Sequence, residues 1–230
     1  MAEHALIVGV GRGLSASLAR LFARQGIAVA LAARNPGKLD ALVKETGARA
    51  YGCDASDPAS VTTLFAQLDK DFGPLDIAVY NASARARGPL VELDAVAVAN
   101  ALMVSCYGGF LVAQAAAKRM LARGSGTILL TGASASVKGY AQSAPFAMGK
   151  FGLRGLAQSM ARELAPQNIH VAHFVIDGGI RQGADDPRGD RGADGLLSPD
   201  AIAESYLQIH RQHRSAWTWE VELRPWVEKF

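Results

Sequence analysis

Lys150 follows Phe146 by four residues in the run 143–155, SAPFAMGKFGLRG. On a helix those two positions share a face, an arrangement by which a lysine supports a proton donor one turn away. Phe146 has no proton to give, so the pair keeps its cation and lacks its acid. A second run with chemical content lies near the start. There Gly9, Gly11 and Gly13 sit in VGVGRGLSAS, between an apolar stretch and an amphipathic one. Glycines at such a junction let the backbone turn sharply and approach a pyrophosphate, which rests on the free N–H groups of the following helix. Their position directly after a strand and opening a helix makes the pattern informative. Arg12 lies within the turn and Arg34 just after the second strand. Ala33 stands where an acid would meet a ribose 2′-hydroxyl. Two arginines and no acid favour a 2′-phosphate, which guanidinium groups grip bidentately. The expected cofactor is therefore NADP(H) in preference to NAD(H).

The elements that must position these residues alternate between apolar strand and amphipathic helix along the chain. Strands are expected at 5–10, 28–33, within ARAYGCD, in LDIAVYNAS with its end near Asn81, at 126–132 and in IHVAHFVI, with AWTWEVELRP as a last one. Helices are expected between them. Asn35–Pro36, Asp57–Pro58 and Ser198–Pro199 read as an N-cap with proline at the first helical position, and Gly47 closes the second helix. Two helical stretches, 94–104 and 106–122, precede the fifth strand, and a long helix at 145–164 carries Phe146 and Lys150. Residues 178–197, rich in Gly, Asp and Arg, read as a loop, and 181–197 as a substrate lid. Strictly alternating strands and helices imply an α/β, doubly wound parallel sheet of Rossmann type, about seven strands in one domain.

Several motifs, in order, resemble those of the short-chain dehydrogenase/reductase family over nearly the whole chain. GVGRGL is similar to its glycine turn, with Gly9 and Gly13 in register and Leu14 following, while Ser15 replaces the third glycine. GCDASDPASV resembles the stretch where an aspartate meets the adenine, here Asp54. YNAS keeps Asn81 and Ala82 of a family N-N-A-G, and FAMGKFGLRGLAQSMARELA resembles the active-site helix. The resemblance implies a four-residue chemistry of Asn, Ser, Tyr and Lys. Matched by position, the Tyr is Phe146, the Ser is Ala133 with a hydroxyl displaced to Ser134, and the Asn is Ser105. Only Lys150 remains, and its implied role on the nicotinamide ribose does not need the tyrosine. This combination resembles the divergent subgroup without the active-site Tyr.

Lys150 and Ser134 are thus the candidate catalytic residues, with Ser134 better suited to donate a hydrogen bond than to act as an acid. The candidate cofactor residues are Gly9, Gly11, Arg12, Gly13, Leu14, Arg34, Asp54, Asn81, Ala82 and Lys150. Tyr140 reads as a rim residue, Asp177 as a turn former before two glycines, and His173 as a core histidine. The histidines show no metal-ligand spacing. A positioned general acid contributes roughly 10²–10⁴-fold, so its loss disfavours simple ketone reduction. A C=C bond that takes its proton on carbon, or an iminium that already carries one, remains open as substrate. A cofactor-binding protein without turnover, acting as a sensor or subunit, is the alternative.

At 230 residues, half apolar and a fifth charged, the chain suits one well-buried domain. The charge of +3 arises from scattered arginines, with a local knot at Arg188 and Arg191, and not from the clustered face that nucleic acid requires. No opening segment resembles a membrane span or signal peptide. Two cysteines, Cys53 and Cys106, do not suggest a disulfide. The expectation is a cytoplasmic protein with reduced thiols, acting on a small molecule and assembling as a homodimer or homotetramer.

Overall fold

The computed structural model describes residues 3–182, 186, 192 and 194–228. Most of the expected 181–197 lid, with Arg188 and Arg191, lies outside the described residues.

Seven parallel strands form one sheet in the order β3-β2-β1-β4-β5-β6-β7. They are β1 (His4–Val8), β2 (Ala28–Ala33), β3 (Arg49–Gly52), β4 (Ile77–Tyr80), β5 (Gly126–Thr131), β6 (Ile169–Ile176) and β7 (Glu220–Leu223). The central strands are near-continuous apolar runs because helices cover both faces. All eight residues of β6 are buried, His170 and His173 included. One face packs against α1 (Leu14–Arg24), α2 (Asp40–Thr46) and α7 (Pro199–His210). The other packs against α3 (Pro58–Asp71), α5 (Gly108–Arg123) and α6 (Ala144–Leu164).

Local signals place most boundaries. Asp57 accepts hydrogen bonds from the N–H groups of Ala59 and Ser60, and Ser198 accepts from Ala201. Gly47 ends α2 in the left-handed conformation at φ 69°. Asn35 does not cap α2 as expected, because a 3₁₀ turn, Pro36–Leu39, intervenes and the helix starts only at Asp40. The strand expected at 5–10 stops at Val8, where the glycine turn leaves the ladder, and the closing strand shrinks to four residues.

The two helices expected at 94–104 and 106–122 are one rod. α4 (Ala95–Leu102) runs through a π-helical turn, Met103–Tyr107, into α5. The wider turn frees backbone groups, and neighbours use them: the hydroxyl of the buried Tyr80 donates to the Val104 carbonyl. Such turns recur at functional sites, and this one carries Ser105.

The strand order reverses between β1 and β4, whose carboxyl ends lead to the glycine turn and to Asn81. A ligand in a sheet of this kind binds in the crevice outside that reversal.

Candidate active site

The glycine turn is fixed by what touches it. Gly9 has φ +86°, and a Cβ there would lie 2.3 Å from the backbone nitrogen of Ala82. Its N–H donates to the Ala32 carbonyl at 3.0 Å. The ends of β1, β2 and β4 are thereby drawn together, with Ala82 as the wall against which the turn closes. Gly11 and Gly13 differ, since a Cβ on either would meet nothing within 4 Å. Both border a cavity of about 1320 Å³ that also touches Leu14, Asn81, Ile180 and Gln182. The first N–H groups of α1 have no partner within the helix, and its first turn holds no acid.

Ser15 explains the missing third glycine. It is 1% exposed, donates to the Gly9 carbonyl at 3.1 Å, and accepts from the Asn81 side-chain amide at 2.6 Å. Asn81 therefore braces the turn from β4.

Arg12 lines the cavity, and so does Lys38, which the sequence reading passed over. The available signal was a cation just past the end of β2, on the turn N-P-G-K. Arg20 also lines it but is engaged by Glu45 at 2.7 and 2.9 Å. Arg34 does not line this cavity and is exposed. Asp54 has its carboxyl held below the usual range chiefly by the Ser56 hydroxyl, then by the Ser56 N–H, with Arg34 adding a smaller pull. The cradle that Cβ atoms would fill, the free helix end and the absence of an acid at Ala33 fit a phosphorylated dinucleotide.

On α6, apart from the residues that line this cavity, Lys150 is 3% exposed. Its Nζ donates to the Thr131 carbonyl at 2.7 Å, and no acid pairs with it among the described residues. Burial pushes its pKa down to about 8, with the nearby Arg85 charge acting in the same direction. Phe146 is buried beneath the Arg85 guanidinium, whose Cζ lies 4.0 Å from the ring centroid. The Lys150 Nζ lies 6.0 Å from the same centroid. Arg85 was not singled out from sequence, because a cation in a loop gives no periodic signal.

Ser134 opens a short 3₁₀ turn after β5 and is half-buried, and its hydroxyl meets no partner among the described residues. Ser136 is instead drawn inward. It accepts from the Ala133 N–H at 3.1 Å and lies 3.3 Å from His173 Nε2. His173 Nδ1 meets Glu220 at 3.1 Å, and Arg154 holds Glu220 bidentately at 2.6 and 2.7 Å. With Ser136 and His173 both fully buried, this chain braces the loop from behind and offers no nucleophile. Ser105 is buried and clamps Ala84, accepting from its N–H at 3.0 Å and donating to its carbonyl at 3.1 Å. Asp177, expected as a turn former, is buried and paired with Lys138 at 3.1 Å and Arg224 at 3.3 Å, so its carboxylate is engaged by two cations. Tyr140 is exposed on the rim.

A switch-point crevice of this shape, with its glycine cradle and buried lysine, defines a dinucleotide-binding protein of the doubly wound class. The model of the short chain dehydrogenase family matches residues 3–182. The chain belongs to that family, whose enzymes use nicotinamide cofactors. D-threitol dehydrogenase of Mycolicibacterium smegmatis is 30% identical over 172 residues, spanning 73% of this chain and 66% of that enzyme. A short-chain dehydrogenase from Rhodopseudomonas palustris is 36% identical, with a TM-score of 0.85 over 97% of this chain and 99% of its own. A metagenomic short-chain oxidoreductase in complex with NADP is 26% identical, with a TM-score of 0.85 over 97% of each chain.

Proposed function

We propose that the chain is an NADP(H)-dependent oxidoreductase whose reaction site works without the family tyrosine. The observation that carries this reading is Lys150, buried and unpaired by any acid among the described residues, in the same domain as an open glycine cradle at the carboxyl end of β1. In this reading Gly11, Gly13 and the α1 N-terminus take the pyrophosphate, and Arg12 with Lys38 takes the 2′-phosphate. Arg34 and Asp54 border the adenosine half. Lys150 holds the nicotinamide ribose. When bound, the reduced nicotinamide supplies a hydride to an electrophile held beside it. Ser134 is the hydrogen-bond donor to the substrate, and the Phe146 ring keeps water from the reacting centre. A polarised C=C or C=N bond suits these groups, since neither needs a carbonyl acid.

Two assignments accompany this reading. The rod Ala95–Arg123 is long and apolar enough to cross a membrane by length and composition, and little of it is buried. Met103, Tyr107 and Phe110 on it, with Met148 and Phe151 on α6, are exposed. We assign that face to a second copy of the chain, in a cytoplasmic homodimer or homotetramer with both thiols free. Light scattering at micromolar concentration tests it, and a monomer refutes it. Arg181 and Leu197, the described ends of 181–197, we assign to the base of a substrate loop, stitched by the hydrogen bond from the Arg181 N–H to the Leu197 carbonyl at 2.9 Å.

A rival reading, a nucleotide-binding sensor or subunit without turnover, draws on one observation. The Ser136 hydroxyl is committed to a buried network, and Phe146 is covered. NADPH consumption over ketones, enones and imines separates the two. Turnover of enones or imines by the parent supports the enzyme. Ketone reduction that appears only in Phe146→Tyr/Ala133→Ser supports the rival. A ligand at 100 times its Kd adds about 2.7 kcal/mol; no thermal shift with NADPH or NADH refutes both.

A further inference from the structure

Two of the three replacements at the reaction end, Ser105 and Phe146, meet around Arg85. The loop after β4 carries it, and Ser105, at the family's asparagine position, grips both backbone groups of the preceding residue, Ala84. Gly88 N–H donates to the Gln142 carbonyl at 3.2 Å, tying the far end of that loop to the approach to α6. Phe146 supplies a flat ring on which the guanidinium rests at 4.0 Å, within the range of a cation–π contact. Arg85 thus has a fixed backbone and a fixed seat.

What it lacks is an acid. Neither Arg85 nor Lys150 has a carboxylate partner among the described residues, and both face one aromatic ring. The coupling runs one way: burial first, and then the Arg85 charge, push Lys150 down, while Arg85 itself keeps an exposed side and is pushed down by partial burial and then by Arg87. An anion arriving at that exposed side beside Phe146 meets the Arg85 guanidinium and offsets the charge that bears on Lys150. The cofactor's phosphates do not serve, since the glycine cradle for them is at the carboxyl end of β1. A guanidinium whose carbon sits over a ring, with no carboxylate on its N–H groups among the described residues, keeps donors for a planar, bidentate acceptor.

We propose that Arg85, seated on Phe146, binds a carboxylate of the substrate, so that this site selects small apolar acids over neutral compounds. The proposal rests on the oxidoreductase reading above. It predicts binding selectivity that can be read without turnover. Titrating the full chain with benzoate and with benzamide, with NADPH present and absent, gives the ratio of their dissociation constants by thermal shift and calorimetry. Benzoate is expected to bind at least tenfold more tightly than benzamide. Arg85→Ala brings the ratio to about one, and Arg85→Lys keeps a part of it by retaining charge without the planar fork. A ratio near one in the parent, or a ratio preserved in Arg85→Ala, overturns the proposal. Stabilisation of the parent by NADPH is read separately. Its absence overturns the nucleotide reading, while the ratio on nucleotide-free protein still judges Arg85.

Discussion

The glycine turn and the surroundings of Lys150 are held in different ways. At the glycine turn the critical contacts are backbone to backbone: Gly9 against Ala82, and the Gly9 N–H against the Ala32 carbonyl. At the reaction end they are side chain to backbone or ring: Lys150 on Thr131, Ser105 on Ala84, Arg85 on Phe146. Backbone contacts leave almost no freedom in residue type, which fixes Gly9 as glycine. Side-chain contacts can be exchanged in sets, provided every buried polar group finds a partner. A fold can therefore keep its cofactor half while its reacting half is rebuilt.

The comparison breaks first, if it breaks, at Gly9. A valine there meets a left-handed backbone conformation, worth about 1–3 kcal/mol, and an immovable backbone neighbour, worth about 1–3 kcal/mol more. Gly9→Val is expected to lose about 4 kcal/mol in urea denaturation, with no thermal response to NADPH. A loss under about 1 kcal/mol would mean that Ala82 does not dictate the turn.

The buried bases sharpen it next. His173 is neutral in the fold, its pKa brought down to about 4 by burial, against an ordinary 6.5. Glu220 at its Nδ1 opposes that shift, while Lys150 and Arg154 reinforce it. The unfolded chain therefore binds the extra proton between these values, so stability falls as pH drops from 6.5 toward 4, by about 3 kcal/mol in all. Glu220 is itself held below the usual carboxylate range, and its own loss comes at lower pH. The decline between pH 6.5 and 4.5 belongs to His173 together with His170, whose imidazole is also pushed below its ordinary value by burial. His173→Gln should flatten its own share of that limb in chemical denaturation at stepped pH.

Lys150 carries the opposite lesson, because its ammonium is buried without an acid. Its pKa of about 8 against 10.5 means that the unfolded chain holds the proton longer, so stability rises between pH 8 and 10.5. Lys150→Met removes the desolvated charge but strands the Thr131 carbonyl, which costs part of the gain. The variant is expected to be about 1–2 kcal/mol more stable than the parent at pH 7, and to bind NADPH at least tenfold more weakly. A destabilised variant would show that Lys150 is a structural residue.

How much of this was legible in the sequence follows the same division. Strand runs such as ALIV and IHVAHFVI, and caps such as Asp57 and Ser198, fix local structure through contacts within a few residues, and they read directly. Phe146 and Lys150 could be paired from the sequence because i and i+4 are adjacent on a helix. Arg85 was not, since its partner is 61 positions away across a loop-to-helix contact. The Ser136–His173–Glu220 chain joins three elements and leaves no spacing rule to find. Lys38 was missed because the 3₁₀ turn that brings it to the cavity was read as the first turn of a helix. The single rod Ala95–Arg123 was split in two because a π turn has no residue signature of its own.

The smallest expected effect falls on Ser15, where the two ends of the division meet. Here a side chain does what the third glycine of the family pattern leaves undone, bonding the Gly9 carbonyl and receiving the Asn81 amide. Ser15→Gly removes one net hydrogen bond, about 1 kcal/mol, and adds a few tenths for glycine near a helix start. Asn81 is half-buried, so water can take up its freed amide. The variant is expected to lose about 1 kcal/mol in urea denaturation while its NADPH affinity changes less than threefold. Ser15→Ala should lose nearly as much, because it deletes the same hydroxyl without the backbone entropy. If Ser15→Ala is as stable as the parent, the turn needs only its backbone contacts, and the hydroxyl is a passenger.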